Sequence, residues 1–123
     1  GAARSFGGWL ELDADGNVVE VTGSGDYDKA LELWAELFKG TRANLKYHEL
    51  YWESKLYSIY AYYLQSNEKP ESANLARQVL DNLKQIQPEY DAGTVEQLEP
   101  EYRYSQLYQP FFRYLDRKLP SGG

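Results

Sequence analysis

Gly25-Asp-Tyr-Asp-Lys-Ala-Leu-Glu-Leu-Trp-Ala-Glu-Leu37 and Ala76-Arg-Gln-Val-Leu-Asp-Asn-Leu83 are the two stretches that decide the fold of this chain. In each, a small residue is followed at helical spacing by bulky ones. Ala30 leads to Leu31, Trp34 and Leu37, and Ala76 leads to Leu80 and Leu83. Residues three and four apart share one helix face. An alanine there lets a second helix come close, while the large side chains one turn on fill the space beside it. Ala30, Trp34, Ala76, Leu80 and Leu83 are therefore expected to be packing residues.

Working outward, the first helix is expected over Tyr27–Lys39, capped by Ser24 or Asp26 and stopped by Gly40 in the left-handed conformation. A second is expected over Arg42–Gln65. It is apolar nearly all round: Leu45, Trp52, Leu56, Ile59 and Tyr63 form one stripe, and Leu50, Tyr57, Tyr60 and Leu64 another. A helix apolar on two faces is sandwiched between neighbours, so this one is predicted at the centre, with Trp52 and Leu56 packed. Ser66–Pro70 reads as a turn, with Pro70 at the first position of a third helix that repeats up to Pro88. Glu89–Gly93 reads as a connection, and Thr94 with Gln97 resembles a capping box. Over Pro100–Leu119 the apolar spacing predicts a last helical segment, kinked or divided at Pro110, because an interior proline costs about 3 kcal/mol and one backbone bond.

Ahead of the helices, Trp9-Leu-Glu-Leu12 and Val18-Val-Glu-Val21 alternate on either side of Asp13-Ala-Asp-Gly-Asn17, which is a β-hairpin signal. The expected fold class is thus mainly α: an antiparallel helical array or bundle with a short N-terminal hairpin. Residues 1–5 read as linker, 6–23 as hairpin, 24–119 as the helical domain and 120–123 as a frayed tail.

Composition narrows the function. The 123 residues suit one domain that buries roughly two-thirds of its unfolded surface. No cysteine is present, which excludes thiol catalysis and thiolate metal sites. Methionine is absent even at position 1, as expected of a processed chain or a piece of a larger protein. The net charge is −6, with thirteen Lys and Arg scattered rather than clustered, which argues against nucleic acid and anionic membrane surfaces as partners. No run approaches the ~18 apolar residues of a membrane span. Twelve tyrosines against four phenylalanines imply either core positions close to solvent or an aromatic recognition groove.

Reaction chemistry is not spelled out. Asp13, Asp15 and Asn17 have the spacing that opens a calcium loop, but the twelfth position is Ser24 where that loop needs glutamate, so these residues are expected to build the turn. His48 is the sole histidine; an H-E-x-x-H zinc site needs a second one at 52, which is Trp52. Glu49 and Glu53 share a helix face and could divide acid and base roles, yet Lys46 and Lys55 beside them favour a solvated charged face. Gly7-Gly8 lacks the pattern of a phosphate loop, and no serine or threonine sits in a nucleophile elbow. The expectation is a protein that is not an enzyme, with no metal and no cofactor.

Gly25, Tyr27, Ala30, Leu31, Trp34 and Leu37 resemble the second helix of a tetratricopeptide repeat, and Ala76, Leu80, Leu83 and Pro88 a second copy of it. Leu45–Pro88 resembles one complete unit, with Ser58 as the small residue of its first helix. The resemblance covers about half of the chain, as one and a half degenerate units. The hairpin stands where the first unit's own first helix should be, and the turn inside the complete unit is too long. The family implies no catalysis but the binding of peptides or partner domains on the face made by first helices. Carried onto this chain, that face would hold Tyr47, His48, Tyr51 and Lys55. The function expected is a protein or peptide interaction module, with the acidic rim favouring a basic partner. Two alternatives stand beside it: a self-associating assembly domain (a homodimer through the Phe111-Phe112 helix), or an aromatic-lined pocket for a small ligand.

Overall fold

Helix α3 (His48–Gln65) is the element the rest of the chain packs against, in a computed structural model that describes residues 1–41, 48–86 and 103–121. Among the described residues the chain forms five helices and one two-stranded sheet. In order these are α1 (Ala2–Gly7), β1 (Trp9–Leu12), β2 (Val18–Val21), α2 (Tyr27–Lys39), α3, α4 (Glu71–Ile86) and α5 (Arg103–Lys118). The fold is mainly helical with a short hairpin at its N-terminal end.

Ring and polar contacts fix the direction of each helix. Trp34 lies 5.4 Å from Tyr57, Phe38 lies 5.3 Å from Tyr51, and the Gln65 amide donates to Asp28 at 2.9 Å, so α2 and α3 run antiparallel. The Ser72 hydroxyl donates back to Gln65, which holds α4 in a helical hairpin with α3. On the other side, Phe112 sits edge-on to Trp52 at 6.0 Å, and Tyr108 reaches Glu49 and Glu53. Helix α5 thus runs alongside α3 in the same direction.

The core follows from this sandwich. Trp52, Leu56, Ile59, Tyr60 and Ala61 of α3 are buried together with Ala30, Trp34, Ala76, Leu80, Leu83, Phe112 and Leu115. Each large apolar side chain among them contributes about 1.5–3 kcal/mol through burial. Ala30 and Ala76, on the two flanking helices, are both fully inaccessible.

The expected hairpin forms, with Trp9 opposite Val21 and Leu12 opposite Val18. Asp13 organises its turn by accepting the backbone N–H groups of Asp15 and Asn17, both at 2.9 Å. Asp26 caps α2 through the Lys29 N–H.

Several expectations are corrected. Residues 1–5 are not linker: Ala2–Gly7 is a helix docked on α2, with Ala3 buried. Gly7 permits it, because a Cβ there would stand 2.8 Å from that of Ala30. Gly8 then turns the chain into β1 at φ +82°, where a Cβ would meet the Val21 carbonyl. A short helix, not the hairpin, therefore covers Ala30. Gly40 ends α2 in the right-handed region (φ −75°), satisfied by a tightened last turn rather than by a left-handed cap. Pro110 neither divides nor ends α5, which runs unbroken from Arg103 to Lys118. Pro110 is exposed, and the helix continues without the backbone bond that a residue with an N–H would make there to the carbonyl of residue 106. Pro120 is held, not frayed, because its carbonyl accepts Arg77 Nε at 2.7 Å. The described part of the central helix begins at His48. Residues 42–47, with Leu45, and residues 87–102, with Pro88 and the Thr94/Gln97 box, lie outside the described residues.

Candidate functional site: a groove over the central helix

Helices α2 and α4 lean on α3 from two sides, with a gap between them among the described residues. The gap is a groove of about 210 Å³. Leu31, Ala35 and Phe38 of α2 form one wall, spaced at i, i+4 and i+7, and Val79 of α4 forms the other. Ser54, Lys55, Ser58 and Tyr62 of α3 form the floor. Ser54 is buried, its hydroxyl donating to the Tyr51 carbonyl at 3.0 Å, so it offers little polarity to an occupant. Leu75, one turn before Val79 and 41% exposed, continues the apolar wall of α4 outward.

Lys55 is the one formally charged residue among the described lining residues, and its Nζ stands 4.2 Å from the centre of the Phe38 ring. That cation–π contact fixes a positive charge at one end of the groove. The acids nearest along α2 face their own helix: Glu32 sits 3.8 Å from Lys29, and Glu36 sits 3.6 Å from Lys39.

The four residues expected to meet a partner are placed unevenly. Tyr47 lies outside the described residues, and His48 opens α3. Tyr51 is a half-buried brace, tilted against Phe38 and edge-on to Trp52 at 5.4 Å. Among the described residues, Lys55 lines the groove. The seven expected packing residues, Ala30, Trp34, Trp52, Leu56, Ala76, Leu80 and Leu83, all lie in the core. Sequence reasoning missed Ala35, Tyr62 and Val79 as lining residues. The signal for Ala35 was present: it falls between Leu31 and Phe38 on a second stripe beside the Ala30–Trp34 one.

Two polar clusters lie away from the groove. Glu53, expected on a solvated face, is drawn into the junction of α1, α3 and α5, where Arg4 approaches it at 3.3 Å and also lies 4.9 Å over the Tyr57 ring. The Tyr108 hydroxyl stands 3.4 Å from both Glu49 and Glu53, too far for strong hydrogen bonds. Burial first, then these two carboxylates, pushes its pKa up. This cluster reads as a structural junction. At the far side, Arg77 donates to Pro120, Asp81, Asp116 and Leu119. It borders a more open polar recess of about 490 Å³, but its guanidinium is committed to tying down the end of α5.

Among the described residues no group of three or more His, Cys, Asp or Glu gathers as a metal site would, and no helix is long and apolar enough to cross a membrane. Compared with known protein families, curated proteins and solved structures, the chain matches none of them.

Proposed function

We propose that this chain is a non-catalytic interaction module of tetratricopeptide-like character, which takes a protein or peptide partner in the groove between α2, α3 and α4. The observation that carries this reading is the groove's lining: half-buried apolar walls at Leu31, Phe38 and Val79, an exposed Ala35, and a floor of small side chains. The full burial of both Ala30 and Ala76 supports treating α2 and α4 as equivalent second helices.

The size of the groove favours a side chain or two from a macromolecule over a small ligand. Sites for drug-sized molecules enclose about 300–1,000 Å³, and this one encloses about 210 Å³. Self-association through Phe111-Phe112 has less support, because Phe112 is buried on Trp52 and Phe111 packs against the core.

The test is selection of displayed random peptides on the folded protein. Binders should lose affinity for the Ala35→Arg protein, whose melting temperature stays at the wild-type value because Ala35 is exposed. Failure to enrich any binder, or binders indifferent to Ala35→Arg, would remove the support for this site.

A further inference from the structure

Away from the groove, we infer that the free edge of β2 takes an extended basic segment of another protein as a third strand of the sheet.

Hairpin pairing decides which backbone groups point outward. The Asp13 N–H donates to the Asn17 carbonyl at 2.9 Å, which makes these two a hydrogen-bonded pair. Such pairs alternate with pairs whose N–H and C=O groups point away from the partner strand. Glu11 with Val19 and Trp9 with Val21 are then bonded pairs, while Leu12 with Val18 and Leu10 with Glu20 direct their groups outward. On β1 that edge is closed at Leu10, which is buried with its carbonyl 3.5 Å from the Tyr57 hydroxyl. On β2 both Val18 and Glu20 are part-exposed, and among the described residues nothing bonds their N–H or C=O groups.

Donors and acceptors repeating every second residue match another strand, whereas a helix bonds its own backbone. Sheet edges are commonly guarded by lysine, proline or an inward-pointing charge. The four residues of β2 include no lysine or proline, and the one charge, Glu20, is already held by the hydroxyls of Tyr63 and Tyr114. Val19, 41% exposed, shares the outer face with Trp9 and Val21. Apolar residues at alternate positions of an added strand would extend that face.

Charge selects the kind of strand. Between Arg4 and Lys29 the chain carries Glu11, Asp13, Asp15, Glu20, Asp26 and Asp28 and no Lys or Arg. Glu11, Asp13 and Asp15 are exposed, and among the described residues none of the three forms an ion pair. Lys118 stands on the helical side of the seam, 5.5 Å over the Tyr114 ring. A strand with Lys or Arg at the end beside the turn therefore meets uncompensated carboxylates. A second copy of this chain would instead bring the same acids and a further net charge of −6 to the edge.

The experiment adds to the isotope-labelled chain a soluble peptide of two lysines followed by alternating valine and threonine. Amide exchange at Val18 and Glu20 should slow by about tenfold or more, while Glu11 and Val19, already in the ladder, change little. Val18→Pro removes one outward donor without touching a ladder bond and should weaken the peptide about tenfold, with thermal melting confirming the fold. N-methylation of the peptide backbone puts the same question to the unaltered protein and should abolish the protection. Glutamates in place of the two lysines should weaken binding about tenfold, and Asp15→Lys should weaken the lysine peptide as well. No protection of Val18 and Glu20 at about 1 mM peptide, or protection that survives N-methylation, would overturn the inference. Equal binding of the lysine and glutamate peptides would overturn the basic partner. Protection that appears without peptide, together with a dimer in sedimentation, would give the edge to a second copy and overturn it too. Peptide shifts confined to Leu31, Ala35 and Val79 would overturn this edge and leave the groove standing.

Discussion

The Tyr63 hydroxyl, on the central helix, donates to Glu20 Oε2 in the second strand of the hairpin at 3.0 Å. Tyr114 of α5 donates to the same oxygen. One carboxylate therefore ties three elements from distant parts of the chain, and the Tyr60 hydroxyl near the Val21 carbonyl adds a weaker contact beside it. The tyrosine richness of the chain has a concrete use here: rings pack inward while hydroxyls reach a polar seam where the hairpin meets the helices.

Replacing Glu20 by alanine leaves two part-buried hydroxyls without their acceptor. Hydrogen bonds to a charged group contribute about 1.5–3 kcal/mol each, and exposure of the seam reduces that. The expected loss is about 2 kcal/mol in a urea unfolding experiment, against under about 0.5 kcal/mol for alanine at the exposed Asp15 of the hairpin turn. Equal effects at the two positions would mean that the clamp does not hold the hairpin.

Alkaline pH should open the same seam. Burial, then the hydrogen bond and charge of Glu20, raises the Tyr63 pKa to about 12, and Tyr60, Tyr108 and Tyr114 are raised as well, each first by burial. Because the folded value exceeds the ordinary one near 10, the folded state holds more protons through that interval. The stabilisation is complete below pH 10 and falls as pH climbs toward 12. Tyrosinate absorbance should rise in two stages, the second coinciding with loss of near-ultraviolet dichroism. Reversible titration of all twelve tyrosines near pH 10 with the fold intact would contradict this.

Gly7→Val places carbon where α1 meets Ala30, at a position where even a Cβ comes within 2.8 Å. Overpacking of this kind costs roughly 1–3 kcal/mol. The melting temperature should fall by several degrees, and amide exchange in residues 2–8 should quicken. Unchanged melting would return residues 1–5 to the status of a linker.

Arg77→Lys keeps the charge but loses the fork that joins Pro120, Asp81 and Asp116. The expected cost is about 2 kcal/mol. Burial alone would raise the Asp116 pKa, but hydrogen bonds from Lys84 and Arg77 outweigh it and hold the carboxyl below its ordinary value. A lowered folded value gives stability that is present above the ordinary pKa and lost as pH falls through the folded one. Asp116→Asn should therefore flatten the acid limb of the stability profile. An unchanged acid limb would mean that this carboxylate carries none of it.

Much of the fold was legible because its signals are local. Asp13 turns the hairpin within five residues, Asp26 caps α2, and Ala76, Leu80 and Leu83 repeat on one face of α4. What the sequence hid depends on tertiary contact. Ala2–Gly7 has only six residues, too few to form a stable helix alone, and is helical because it docks on α2. Pro110 reads as a break until α5 is seen to continue through it with the proline exposed. The groove was the hardest to read. Ala35 sits on a readable stripe with Leu31 and Phe38, but that Val79 and Tyr62 join it around one groove depends on how α2 and α4 are placed beside α3.

The most direct measurement is an amide chemical-shift map of the labelled protein titrated with a display-selected peptide. The account predicts shifts concentrated at Leu31, Ala35, Phe38, Ser54, Ser58 and Val79, the residues bordering the groove. Shifts centred instead on Asn74, Gln78 and Gln85, along the polar recess of α4, would contradict it.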